Sequence, residues 1–264
     1  MSKKKHETNS LNSLKQYNGF ESFVKGFKKA ADIIRMEKPD YIFAPIVGAV
    51  AFIDILSIID KHFPLDTVQY LPNSSRFENR DELTAKWYSN FYKANEINEH
   101  MKIICIDEVL SGSSTVNGYK QFKKSIDERA MEKSKGMADE IKSFEYNKMK
   151  LQKNIDYKIL GIAERGHERN PRYTNLVNNK IIYPIEFEDV YTIDDINLNP
   201  IRLKPGNMHN NRLSYLPEIQ TFDVTHQYMD FLRSIASYTG VDPSNVSPKN
   251  FSKIEDGLKL ATKK

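Results

Sequence analysis

Ile103-Ile104-Cys105-Ile106-Asp107-Glu108-Val109-Leu110-Ser111-Gly112-Ser113-Ser114-Thr115 is the stretch whose reading decides the fold. Four apolar residues in a row read as a strand covered on both faces. An acidic pair follows, then a run of glycine and hydroxyl residues, then a segment with helical character. In an open α/β sheet, ligands sit beyond the carboxyl ends of the strands. Small residues there let backbone N–H groups approach a phosphate, and the helix start behind them favours negative charge. Ser111, Ser113, Ser114 and Thr115 add hydroxyl donors. Asp107 and Glu108 would repel a phosphate that they faced. They suit sugar hydroxyls, or Mg2+ held through waters.

The flanking sequence fits a parallel sheet. Phe20, Phe23, Val24, Phe27, Ala30, Ala31 and Ile34 recur at steps of three and four, which predicts a helix that Pro39 stops. Residues 41–47 form a short apolar run, punctuated by Gly48 and followed by a buried helix over 49–59. Residues 67–71, 159–163 and 181–185 read as further strands, and 83–97 as a helix carrying Trp87, Tyr88, Phe91 and Tyr92. That aromatic set reads as a packed helix face, and Cys105 as a buried thiol. Residues 116–154 are charged and lack proline, which predicts one long helix or a helical pair broken near Gly136. Strands alternating with helices mean βαβ units.

Composition bounds the rest. With 264 residues the chain holds one large domain or a core with an appendage. Its 39% hydrophobic content excludes a mainly disordered chain, and its 28% charged content argues against a membrane-embedded one. The single Cys105 excludes a disulfide framework and a thiolate zinc site. The six histidines show no metal-ligand spacing. Residues 1–18 read as a mobile basic tail with no apolar stretch behind it, so a cytoplasmic protein with no membrane partner is expected. Net charge is +4 from 39 basic and 35 acidic residues, too balanced to require nucleic acid, although a nucleic-acid or protein-binding module stays open.

The stretch from Ile103 resembles the phosphoribosyl-pyrophosphate (PRPP) loop of type I phosphoribosyltransferases: four apolar residues, two acidic, two apolar, then a Thr-Gly-x-Thr-like turn. The likeness extends over residues 20–186. It implies an α/β fold: a phosphoribosyltransferase-like (Rossmann-like) parallel-sheet core over 19–187, with a long helical insertion and a C-terminal mixed or helical appendage over 188–264. By resemblance, Asp107 and Glu108 bind the ribose hydroxyls. Ser111, Gly112, Ser113, Ser114 and Thr115 cradle the 5′-phosphate. Val47, Gly48 and Ala49 approach a pyrophosphate bridged by Mg2+. A mobile loop over 73–82 closes on the site, where Arg76 and Arg80 neutralise the leaving pyrophosphate. The implied activity is a PRPP-dependent pentosyltransferase acting on a nucleobase-like acceptor. A catalytically silent sensor of PRPP or nucleotides is the alternative. Homodimers are common among such proteins.

Two departures mark this chain. Gly112 sits one residue earlier than the family's glycine, with Ser113 in its place, and Ala44-Pro45-Ile46-Val47-Gly48 lacks a basic residue before the glycine. Beyond the motif, Arg165 and His167 lie in a basic loop after the strand over 159–163. If that strand is parallel to the others, the loop shares the sheet edge with the phosphate loop and can hold an acidic acceptor or stack on a base. A solvated loop is the competing reading. Residues 189–211 show little periodicity and are the candidate hood for acceptor recognition.

Overall fold

The computed structural model describes residues 19–95, 100–166, 168–187, 200–209 and 212–263. The tail over 1–18, His167, and residues 189–199 and 210–211 of the candidate hood lie outside them. The elements in order are α1 (Phe20–Glu37), β1 (Tyr41–Pro45), α2 (Val50–Ile59), β2 (Val68–Leu71), α3 (Arg80–Ala94) and β3 (Met101–Val109). Next come α4 (Ser113–Ser134), α5 (Glu140–Asn154), β4 (Ile155–Glu164), α6 (Pro171–Asn178) and β5 (Ile182–Phe187). The chain then continues through β6 (Ile201–His209), β7 (Arg212–Phe222), α7 (His226–Thr239) and α8 (Phe251–Thr262).

The main sheet has five parallel strands in the order β2-β1-β3-β4-β5. Residues along each strand alternate between two apolar layers, as a period of two requires. Ile42, Ala44, Ile104, Ile106, Leu160 and Ile162 join one layer, with α1, α2 and α7. Phe43, Ile103, Cys105, Val109, Tyr157 and Ile159 join the other, with α3, α4 and α6. All seven apolar residues read on α1 are buried there, and Trp87, Tyr88, Phe91 and Tyr92 are each 1% exposed or less. Cys105 is a buried free thiol whose burial pushes its pKa far up.

The charged segment over 116–154 is a helical pair. Helix α4 ends before Gly136, which takes φ +78°, and Asp139 caps α5 by accepting the Lys142 N–H at 3.1 Å. Strand β4 starts at Ile155, four residues earlier than the sequence suggested, because it continues directly from α5. The hood segment also differs from its reading: residues 201–209 form a strand paired antiparallel with β7. Its register shifts on both sides of Pro205, which lacks the N–H that a regular ladder needs, and this hides the strand's periodicity. None of the described helices is long and apolar enough to cross a membrane.

Helix α7 is tied into the core by Tyr228, whose hydroxyl donates to Asp54 Oδ2 of α2 at 2.5 Å. Burial pushes the Asp54 carboxyl up to about 6, with the Tyr228 bond opposing that rise. The folded protein therefore carries an ionised Asp54 above about pH 6 and a neutral one below. Tyr228→Phe removes the donor, so its stability loss should be about 1–3 kcal/mol at pH 7.5 and smaller at pH 5. Melting curves at both values test this; an equal loss at the two would refute the assignment.

Candidate functional site

The strand order changes direction at β1. The chain leaves β1 for β2 on one side, while β3 and its successors add on the other. The carboxyl ends of β1 and β3 therefore bound a topological switch point, where open sheets of this order place their ligands. A cleft of about 370 Å3 opens there, lined by residues 45–48, 73–76, 107–108 and 110–115. The Ile46–Val47 peptide in its wall is cis.

Consecutive residues of a strand point to opposite faces, and the acidic pair obeys that rule at the end of β3. Asp107 turns to the α4 face, where its Oδ2 accepts the Thr115 hydroxyl at 2.7 Å. Glu108 turns to the α2 face, where its Cβ and Oε2 lie 3.5 Å from the position a Cβ on Gly48 would take. Burial pushes the Asp107 carboxyl up to about 6, against the opposing pull of the Thr115 hydroxyl. The two carboxylates thus turn to opposite faces of the strand. They present oxygens on both sides of the cleft floor.

The loop between β3 and α4 is held from outside. Gly112 caps α4 in the left-handed region, φ +80°. A Cβ there would lie 2.5 Å from Cδ2 of Tyr173 on α6, so only glycine satisfies both demands. The Asn170 N–H donates to the Ser111 carbonyl at 2.9 Å, and its Nδ2 donates to Ser113 Oγ at 3.2 Å. Arg169 donates to the Leu110 carbonyl. Ser111 Oγ donates to Ser113 Oγ at 3.1 Å. The N–H groups of the first turn of α4 have no carbonyl partner inside the helix and face the same loop. That arrangement suits an anion.

Val47, Gly48, Arg76, Ser111, Gly112, Ser113, Ser114 and Thr115 all line the cleft together with Asp107 and Glu108. Ala49 does not; it is the fully buried N-cap of α2. Arg80 does not line it either, because it opens α3 and pairs through Nε with Asp81 at 3.1 Å. Arg165 is exposed after β4, and its N–H donates to the Phe187 carbonyl at 2.8 Å. Strand β4 is parallel to β3, so Arg165 lies at the same sheet edge without reaching the cleft. Among the described lining residues Arg76 is the only basic one.

The β6–β7 hairpin grips the loop that closes the cleft on the β2 side. The Tyr215 N–H donates to the Arg76 carbonyl at 2.8 Å, and the Glu78 N–H returns to the Tyr215 carbonyl at 3.0 Å. Glu78 Oε1 also accepts the Ser214 hydroxyl at 2.7 Å and the Asn207 N–H. A second cavity of about 470 Å3 lies between this loop and the hairpin, sharing Ser75 and Arg76 with the first. Sequence reasoning placed Asn73 in the loop over 73–82 and Asn170 and Tyr173 in the loop over 164–173, but gave none of the three a role of its own. Asn170 precedes Pro171 and accepts the Arg172 N–H at 2.9 Å, so the Asn-Pro pair was a legible helix start. Its reach to the β3–α4 loop was not.

Among the described residues no group of three or more His, Cys, Asp or Glu is placed to hold a metal. Magnesium does not need one, since it takes one or two carboxylates, several waters and substrate phosphates. Asp107 and Glu108 fit that manner of binding. Comparison of the chain with family models, with curated proteins and with solved structures yields no match.

Proposed function

We propose that this cleft binds PRPP or a nucleotide containing ribose 5-phosphate, in the manner of a phosphoribosyltransferase. The activity proposed is transfer of the phosphoribosyl group to a nucleobase-like acceptor with release of pyrophosphate. The observation that carries the reading is the meeting, at the β1–β3 switch point, of two carboxylates, a hydroxyl-lined helix start and the Gly48 turn in one cleft. On this reading Asp107 and Glu108 accept hydrogen bonds from ribose hydroxyls. The residues from Ser111 to Thr115 seat the 5′-phosphate on the first turn of α4. The Val47–Gly48 turn and Arg76 receive the pyrophosphate. Mg2+, when bound beside Asp107 and Glu108, supplies charge neutralisation on that leaving group.

The reaction asks little covalent work of the protein. As pyrophosphate departs, positive charge grows at the anomeric carbon, and carboxylates nearby stabilise it. Alignment of the acceptor nitrogen supplies the remainder. One feature favours the silent-sensor reading: Arg76 is the sole basic side chain among the described lining residues, so little cationic charge meets a leaving pyrophosphate.

Calorimetric titration of the protein with PRPP, and separately with nucleoside 5′-monophosphates, each with Mg2+, is the first test, and absence of binding to all of them would remove both readings. Pyrophosphate release with a panel of bases then separates them, release identifying the enzyme.

A further inference from the structure

Arg76 is the only basic side chain among the described lining residues of the cleft, and it stands in a loop. An arginine on a free loop loses affinity for an anion to the entropy of ordering both backbone and side chain. Here the backbone is ordered in advance. The Arg76 N–H donates to Ser74 Oγ at 3.3 Å, and its carbonyl accepts the Tyr215 N–H at 2.8 Å. Phe77 beside it forms a parallel bridge with Tyr215 and is buried. Glu78 completes the tie. Its Oε1 accepts the Asn207 N–H from β6 and the Ser214 hydroxyl from β7, so one carboxylate oxygen holds both strands of the hairpin. A Cβ on Gly206 would lie 2.4 Å from that oxygen, so this close approach needs glycine there. The hairpin is itself anchored. Ile201 and Leu203 are buried in the layer of α1, α2 and α7, and the Phe222 ring stacks on Phe251 of α8 at 4.2 Å.

We infer that Glu78 is a positioning residue: it fixes the loop against the β6–β7 hairpin so that Arg76 meets the pyrophosphate end of a ligand in this cleft. The inference rests on the PRPP reading above. Glu78 lines the second cavity and not the first, so it acts through Arg76 and does not touch the ligand. The two ends of the ligand are then held by different parts of the chain. Strand β3 and the start of α4 hold the sugar phosphate, while the hairpin sets the place of the cation that meets the leaving group.

A double-mutant cycle tests this, with affinity for PRPP and Mg2+ read by calorimetry. Arg76→Ala should weaken binding about thirtyfold through loss of a charge-assisted contact. Glu78→Ala should weaken it about tenfold, and Glu78→Gln, which keeps an oxygen for the same two donors, by no more than about threefold. The variant carrying both Arg76→Ala and Glu78→Ala should bind as Arg76→Ala does, because Glu78 has nothing left to position. A residue that only supports the fold would add its loss to that of Arg76→Ala, and such additivity overturns the inference. So does parent-like affinity in Glu78→Ala, or a Glu78→Gln variant as weak as the alanine one. If Glu78→Ala does not fold, Ser214→Ala removes one of the two donors and should weaken binding about threefold; unchanged affinity there is equally fatal. Parent-like affinity in Arg76→Ala also overturns the inference and leaves the seat for the sugar phosphate standing. If the parent does not bind PRPP, the PRPP reading fails and takes this inference with it.

Discussion

If the cleft holds PRPP as proposed, replacing Asp107 with Asn and Glu108 with Gln together will weaken that binding at least about a hundredfold without unfolding the protein. A hydrogen bond to a charged group contributes about 1.5–3 kcal/mol, and charge-assisted bonds are roughly twice as strong as neutral ones. On the proposed reading, losing the charge at both positions removes two of the strongest contacts available to the ribose. Stability should move the other way. Burial pushes Asp107 up to about 6, so above that pH the folded state carries an ionised carboxylate at a cost that is absent below about pH 4. Asn at 107 is neutral and still offers an oxygen to the Thr115 hydroxyl. The double variant should thus melt at or above the parent at pH 7.5. Calorimetry with PRPP and Mg2+, paired with a melting curve, gives both readouts. Parent-like affinity in a folded double variant would show that the carboxylates do not hold the sugar.

Gly112→Ala has the second largest expected effect, and it strikes stability and binding together. The residue sits at φ +80°, where an L side chain costs roughly 1–2 kcal/mol. Its new methyl group would also meet the Tyr173 ring at 2.5 Å, and forced overpacking adds about 1–3 kcal/mol. A total of about 3 kcal/mol lowers the melting temperature by roughly 6–12 °C in a chain of this size. The same shift displaces the Ser111–Ser113 turn that Asn170 holds, so on the proposed reading PRPP affinity falls as well. Adding Tyr173→Ala should relieve the clash while leaving the backbone strain, giving a coupling of about 1–2 kcal/mol in a double-mutant cycle. Strict additivity of the two changes would mean that the ring does not constrain the turn.

The sequence was most readable where burial is complete. The β3 strand from Ile103 to Ile106 has no polar side chain to confuse its period, and it lies at the centre of the sheet as read. The seven apolar positions on α1 were equally plain, since a helix with one wet face writes its geometry into the spacing. Strand β6 was opaque because Pro205 breaks its ladder and its residues alternate poorly. The acidic pair was legible as a pair, but its division between two faces was assigned only once the strand was seen to run on through Val109. Arg76 and Arg80 looked equivalent in sequence. The start of α3 at Arg80 separated them, giving one to the cleft and the other to Asp81.

Local order along the chain by itself determined the alternation of strands and helices, the buried central strand and the hydroxyl-rich turn that ends it. These follow from side-chain period and small-residue content, which are properties of neighbours in sequence. Only the tertiary structure decided which loops meet. Asn73, Gly118 and the Asn170–Tyr173 turn come from three separate segments, and their contacts depend on the order of strands in the sheet, which no local pattern encodes.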